Sequence, residues 1–246
     1  MLNICAICII IAIWHLLILL YNTIMNVLKL IKKYLNFIFF PEKCVICNKK
    51  NQNYICDDCK NHLNSIFNPK IVDNIHPGLV CMACFEYKNE IRDMIHSFKF
   101  KNQKYISSIL SDFLSFGIKK VFKNKKIDLI TFVPMFLNTQ DDLKYNHAKI
   151  LAENTAKKLN LPFQNCLEKI YNNKKQHNLS FYERQKNVKG IYTAAGKFKN
   201  ENILICDDII TTGATLFECK NELEKAGANV LCATVAFTSL GPVNMK

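Results

Sequence analysis

A chain of 246 residues holds one domain of ordinary size plus a small appendage, and with half its residues apolar it can build a sizeable core, which excludes wholesale disorder. The formal charge of +13 suits polyanionic partners, but charge supplies only the nonspecific part of such binding. Arg92 and Arg184 are the only arginines, so the lysine excess also matches an A/T-rich coding bias.

The first element is an apolar run, Ile4 to Tyr21, broken by His15. It approaches the ~20 residues that cross a bilayer, and the lysines that follow (Lys29, Lys32, Lys33) would keep the remainder in the cytoplasm. No basic residue precedes it and no small-residue cleavage site follows, so a signal peptide fits poorly. Met25 opens a lysine-bearing amphipathic stretch to Phe40, so residues 1–24 are either an inner-membrane anchor, with membrane contact through residues 4–21, or an extension upstream of the true start. Residues 1–40 are set apart as this segment. Cys5 and Cys8 within it read as passengers.

Next comes a cysteine-rich module, expected over 41–85. Cys44-Val-Ile-Cys47 and Cys56-Asp-Asp-Cys59, eight residues apart, supply four thiolates from two tight turns, the donor set of a closed structural Zn²⁺ site. Cys81-Met-Ala-Cys84 is a third pair without an obvious fourth, read as candidate zinc ligands that either replace one pair at the same metal or form a degenerate second site with His62, His76 or Asp57. Cys206, Cys219 and Cys232 sit singly in apolar stretches, as buried thiols do. Paired spacing without a secretory context places the protein in a reducing cytosol.

The main domain is expected over 86–240. Lys99–Lys104, with Phe98, Phe100 and Tyr105, interleaves charge and aromatics as single-strand binders do, or is an amphipathic helix with its aromatics inward. Ile127–Val133 reads as a buried strand, followed by the turn Pro134-Met135-Phe136. Asp141–Leu159 reads as a helix with Leu143, Ile150, Leu151 and Leu159 as its buried stripe, and Asn146 and His147 near its start as caps or satisfied partners, or as groups facing a site. Tyr171–Lys189 is polar and long enough for a lid, and its Arg184 suits bidentate phosphate contact.

The most informative stretch runs from Asn202 to Phe237. Ile203–Cys206 is an apolar strand ending in Asp207 and Asp208. A Thr-Thr-Gly-Ala-Thr turn (Thr211–Thr215) follows, then a helical pattern through Leu216 and Leu223 closed by Gly227, and a second strand, Val230–Phe237. This is a βαβ unit with its polar loop at the carboxyl end of a strand, where open α/β sheets bind ligands. Gly213 allows close approach to an anion, successive N–H groups at a helix start cradle phosphate, and Thr211, Thr212 and Thr215 add hydroxyls. Carboxylates beside such a cradle would repel phosphate, but they can accept hydrogen bonds from vicinal ribose hydroxyls and favour positive charge developing at the anomeric carbon.

Asp207–Thr215 resembles the phosphoribosyl-pyrophosphate motif of type I phosphoribosyltransferases, and joined to a paired-cysteine module it is similar to the ComF family, which is associated with competence for DNA uptake. The resemblance runs from about Pro41 to Phe237. It includes Val133-Pro134, then Leu143-Lys144-Tyr145-Asn146-His147-Ala148 against the family's Arg-Gly-Phe-Asn-Gln-Ala, and Gln176 with Leu179-Ser180, Arg184 and Asn187-Val188. Lys144 and Tyr145 depart from the family pattern, and its usual fourth cysteine pair is missing.

The resemblance implies a parallel α/β sheet flanked by helices behind a small zinc ribbon. It implies phosphoribosyl pyrophosphate as ligand, bound with Mg²⁺ through Asp207, Asp208, Thr211, Thr212, Gly213, Ala214 and Thr215, with Arg184 and Lys144 as candidate pyrophosphate contacts. The reaction class would be pentosyl (glycosyl) transfer to a nitrogen nucleophile, as in nucleoside metabolism, within DNA uptake and natural transformation. The alternatives are a non-catalytic factor that binds single-stranded DNA, working with other DNA-uptake proteins, and a nucleobase-salvage transferase.

Overall fold

The computed structural model describes residues 14–29, 43–51, 54–72, 75–100, 105–135, 146–170 and 190–238. Arg184 and Lys144 lie outside the described residues, as do the lid segment and residues 4–13 of the apolar run. The chain forms two compact units, Met1–Cys59 and Lys60–Lys246.

In the first unit, residues 14–29 are helical, with Trp14, Leu17, Leu20, Ile24 and Leu28 exposed. Among the described residues no helix is long and apolar enough to cross a membrane. Further on, a tight turn carries Cys44 and Cys47. Lys43 and Lys50 form an antiparallel bridge across it, Asn48 adopts φ 59°, and the Cys44 N–H donates to the Lys49 carbonyl at 2.9 Å. Helix α1 (Asp57–Ile66) starts beside the second pair, with Asp57 and Asp58 in its first turn, where acids suit the helix dipole.

The second unit is built on a five-stranded sheet of order β1-β2-β7-β6-β3, from β1 (Lys70–Val72), β2 (Cys81–Glu86), β3 (Leu129–Phe132), β6 (Asn202–Ile210) and β7 (Asn229–Phe237). The last four are mutually parallel, and β1 is an antiparallel edge. Strands β4 (Leu167–Lys169) and β5 (Tyr192–Ala194) form a separate antiparallel pair. Helices α2 (Asn89–Phe100), α3 (Tyr105–Val121), α4 (His147–Leu159) and α5 (Ala214–Lys225) complete the unit. The central strands are apolar on both faces, as a doubly covered parallel sheet demands. On one face α5 and the β4–β5 pair bury Leu216, Cys219, Leu223, Leu167 and Tyr192 against Ile203, Ile205 and Cys232. Helices α3 and α4 pack together against the sheet, α4 on β3 and β6.

This arrangement corrects the reading of the third cysteine pair. Cys81 and Cys84 are no knuckle: both lie in β2, paired with β7, and both are fully buried. Residues three apart in a strand face opposite ways. Accordingly the Cys81 Sγ lies 4.0 Å from the Thr234 Oγ1, while the Cys84 Sγ approaches the Phe113 carbonyl at 3.5 Å. The boundary expected after residue 85 falls instead at Cys59, because β1 and β2 belong to the main sheet.

The helix expected over 141–159 is described from His147, with Asn146 as its N-cap: the Asn146 Oδ1 accepts from the Lys149 N–H at 3.1 Å. Its buried stripe is Ala148, Leu151, Ala152, Thr155 and Ala156. Small residues on that face let α4 lie close to its neighbours, which leaves Ile150 and Leu159 only partly covered.

Candidate functional site

Cys44, Cys47, Cys56 and Cys59 converge, with their sulfurs all within 4.8 Å of one another. Cys47 and Cys56 Sγ are 3.7 Å apart, close to the ~3.8 Å edge of a tetrahedron whose metal–sulfur bonds are ~2.3 Å. Burial works to raise the Cys44 thiol, but backbone N–H groups of Cys47, Cys56 and Ile46 outweigh it and bring it down to about 6. Burial, then the neighbouring thiols, push Cys59 up. The quartet fits a metal with four thiolate ligands and leaves no open position.

The second site lies at the carboxyl ends of β3 and β6. The chain leaves β6 for α5 on one face of the sheet and leaves β3 for α4 on the other, so a crevice opens between the two strand ends, the topological switch point of an open α/β sheet. Here β6 runs longer than expected, to Ile210, and remains paired with β7. Asp207 and Asp208 therefore sit within the strand and alternate in direction. Asp207 shares the face of Ile203 and Ile205. Asp208 shares that of Leu204 and Cys206.

The Asp208 carboxylate is buried and receives the Lys99 ammonium at 2.5 Å. Burial works to lower the Lys99 ammonium, but the charge and hydrogen bond of Asp208, with Asp207 behind it, raise it. The His147 ring N–H donates to the Lys99 carbonyl at 2.6 Å, and burial lowers this imidazole below its ordinary range. Asp207 is half-buried and accepts from the Asp208 N–H at 2.9 Å. Burial first, and the Asp208 charge second, push its carboxyl up to about 7, against a lowering pull from Lys99.

Beyond the acids, the Thr211–Gly213 bend delivers the chain to the start of α5. Thr211 is exposed, Thr215 half-buried, and Thr212, Gly213 and Ala214 are buried. The first N–H groups of α5 have no intrahelical acceptor by construction; that of Ala214 meets the Thr212 hydroxyl at 3.4 Å. Gly213 adopts φ 74°, and a Cβ there would lie 2.9 Å from the His76 Cβ and 3.1 Å from Leu79. Gly213→Ala is therefore expected to cost about 2 kcal/mol or more through the left-handed backbone and the clash. The denaturant midpoint measures this, and an unchanged midpoint would show that the bend is not so constrained. At the far end Gly227, φ 97°, closes α5 where any Cβ would run into the Phe198 carbonyl.

The structure thus brings Asp207, Asp208 and the Thr211–Thr215 bend together at one strand end. It adds Lys99 and His147 from α2 and α4. By pattern Lys99 belongs either to a charged, aromatic-interleaved patch or to an amphipathic helix, and nothing in its local sequence marks an acid 109 positions later as its partner. Cys81 and Cys84 join neither site.

A strand-order reversal at a twin-acid, glycine-bend crevice defines a class, the type I phosphoribosyltransferase fold, and residues 147–241 match the phosphoribosyl transferase domain family. The chain is also similar to curated proteins over more of its length. It is 28% identical over 148 residues to competence protein F of Haemophilus influenzae, covering 57% of this chain and 65% of that one. It is 27% identical over 190 residues to competence protein ComFC of Bacillus subtilis, covering 75% and 73%, and 21% identical over 193 residues to the DNA utilization protein YhgH of Escherichia coli, covering 75% and 85%. These relatives bear out the resemblance to the ComF family.

Proposed function

We propose that this protein is a ComF-like phosphoribosyltransferase-domain protein that binds phosphoribosyl pyrophosphate with Mg²⁺ and serves DNA uptake in the cytoplasm. The observation that carries the reading is the placement of Asp207 and Asp208 on the strand end directly before the Gly213 bend that opens α5. The ribose hydroxyls would donate to the two carboxylates. The 5′-phosphate would lie against the N–H groups of the bend and the first turn of α5, with Thr211, Thr212 and Thr215 adding hydroxyls. Mg²⁺ would be held mainly by pyrophosphate and ribose oxygens, since it keeps few protein ligands. In transfer, the bond from the anomeric carbon to pyrophosphate breaks and pyrophosphate leaves with the electron pair. A nitrogen nucleophile forms the new bond and gives up a proton. The acids would stabilise the positive charge that develops in between. The Cys44, Cys47, Cys56 and Cys59 quartet would hold a structural Zn²⁺.

Calorimetric titration with phosphoribosyl pyrophosphate and Mg²⁺ tests this reading: saturable one-to-one binding is expected, and its absence overturns it. The pH dependence has a definite sign. A carboxyl raised from its ordinary ~4 to about 7 contributes stability that declines as pH rises through that window, because the folded state holds the proton more tightly. Its capacity to accept two hydroxyls appears over the same range. Ligand affinity should therefore rise from pH 6 to pH 8, and a flat profile would contradict the role given to Asp207.

The relatives' names, competence protein and DNA utilization protein, favour a second reading, a factor that binds single-stranded DNA. DNA binding that is sensitive to salt and survives replacement of both acids would support it.

A further inference from the structure

Lys99 sits one residue before the end of α2 and is held at both ends. Its carbonyl accepts from His147, the first residue of α4, at 2.6 Å. Its ammonium meets the Asp208 Oδ2 at 2.5 Å, with 29% of the lysine side chain and 8% of the aspartate side chain exposed. His147 is itself fixed by burial and by an edge-on contact with Phe98, ring centroids 5.4 Å apart. Three separate elements thus fix one cation against one of the twin acids. A solvated surface lysine would show none of this. A carboxylate so buried would be costly without a partner, and a pair of apolar side chains would serve stability at least as well, so the retained charge points to a role at the crevice.

We propose that Lys99 is a positioning residue of the twin-acid site, fixing the Asp208 carboxylate in direction and offsetting its charge so that a polyanionic ligand meets less negative charge at the crevice. This rests on the reading of Asp207 and Asp208 as ribose acceptors. Without the lysine, the approaching phosphates would face an uncompensated Asp208 carboxylate beside Asp207, and binding would depend more steeply on the divalent cation accompanying the ligand.

The test is titration of the full chain with phosphoribosyl pyrophosphate at several Mg²⁺ concentrations, comparing wild type, Lys99→Arg and Lys99→Met, each checked by thermal unfolding. Lys99→Met is expected to bind at least ~10-fold more weakly and to need more Mg²⁺ for half-saturation, while Lys99→Arg, which keeps the charge, recovers most of the affinity. Wild-type affinity in Lys99→Met overturns the proposal, as does a folded Lys99→Arg as weak as Lys99→Met. Should Lys99→Met fail to fold, Lys99→Gln makes the same comparison. A wild type that binds no phosphoribosyl pyrophosphate would refute the reading of the site itself, an outcome distinct from a wild type that binds and a lysine that does not matter.

Discussion

Replacing both acids, Asp207→Asn with Asp208→Asn, should weaken binding of phosphoribosyl pyrophosphate by at least ~100-fold, since a hydrogen bond to a charged group is worth about 1.5–3 kcal/mol and two would be lost. Pyrophosphate release, if the protein is a transferase, should fall at least as far. The two positions are not equivalent. Asp208→Asn also leaves the Lys99 ammonium without its counter-charge in a mostly buried position, so it should lower stability as well as affinity. Asp207 is half-buried, accepts from the Asp208 N–H and forms no ion pair as short as that of Asp208 with Lys99, so Asp207→Asn should lower affinity with a smaller change in melting temperature. Affinity and melting measured on both single variants separate the effects. Equal losses of stability would contradict the geometry, and a double variant that binds normally would contradict the site.

The second large effect concerns the cysteine quartet. A structural four-thiolate zinc site contributes about 10–16 kcal/mol of apparent binding energy, and in a short segment that energy is folding energy. The 43–59 segment gains little from a core, with only Cys44 and Cys59 as buried hydrophobics among its described residues. Elemental analysis is expected to find one zinc per chain, and Cys44→Ser or Cys59→Ser should lose it. A strong chelator should unfold this segment, visible as loss of amide protection there. The sheet of the second unit should keep its protection, since its core has no metal-ligating cluster among the described residues. A chain purified without zinc whose 43–59 amides stay protected would contradict the account.

Local pattern made the βαβ unit readable. Ile203–Cys206 is apolar on both faces, Gly213 and Gly227 mark the bounds of α5, and the twin acids fall in the carboxyl-terminal half of a parallel strand that runs on to Ile210. The first two cysteine pairs were equally readable, because ligand spacing is a local property. Contacts made across long stretches of chain were not. Cys81-Met-Ala-Cys84 has knuckle spacing, but an apolar Cys-Met-Ala-Cys-Phe run is also a doubly buried strand, and only pairing with β7 decides between the two. The buried face of α4 is only partly legible in the sequence: Leu151 lies on it as expected, but Ala148, Ala152 and Ala156 carry a weak hydrophobic signal yet permit close packing. Lys99 looked like one lysine of a basic run, since its partner Asp208 meets it only once α2 and β6 are in place.

The most direct measurement is a crystal structure of the protein with phosphoribosyl pyrophosphate and Mg²⁺. The account predicts the ribose hydroxyls on the Asp207 and Asp208 carboxylates and the 5′-phosphate against the backbone amides between Thr211 and Leu216. A ligand bound elsewhere on the chain, or a crevice that stays empty at saturating concentration, would contradict it.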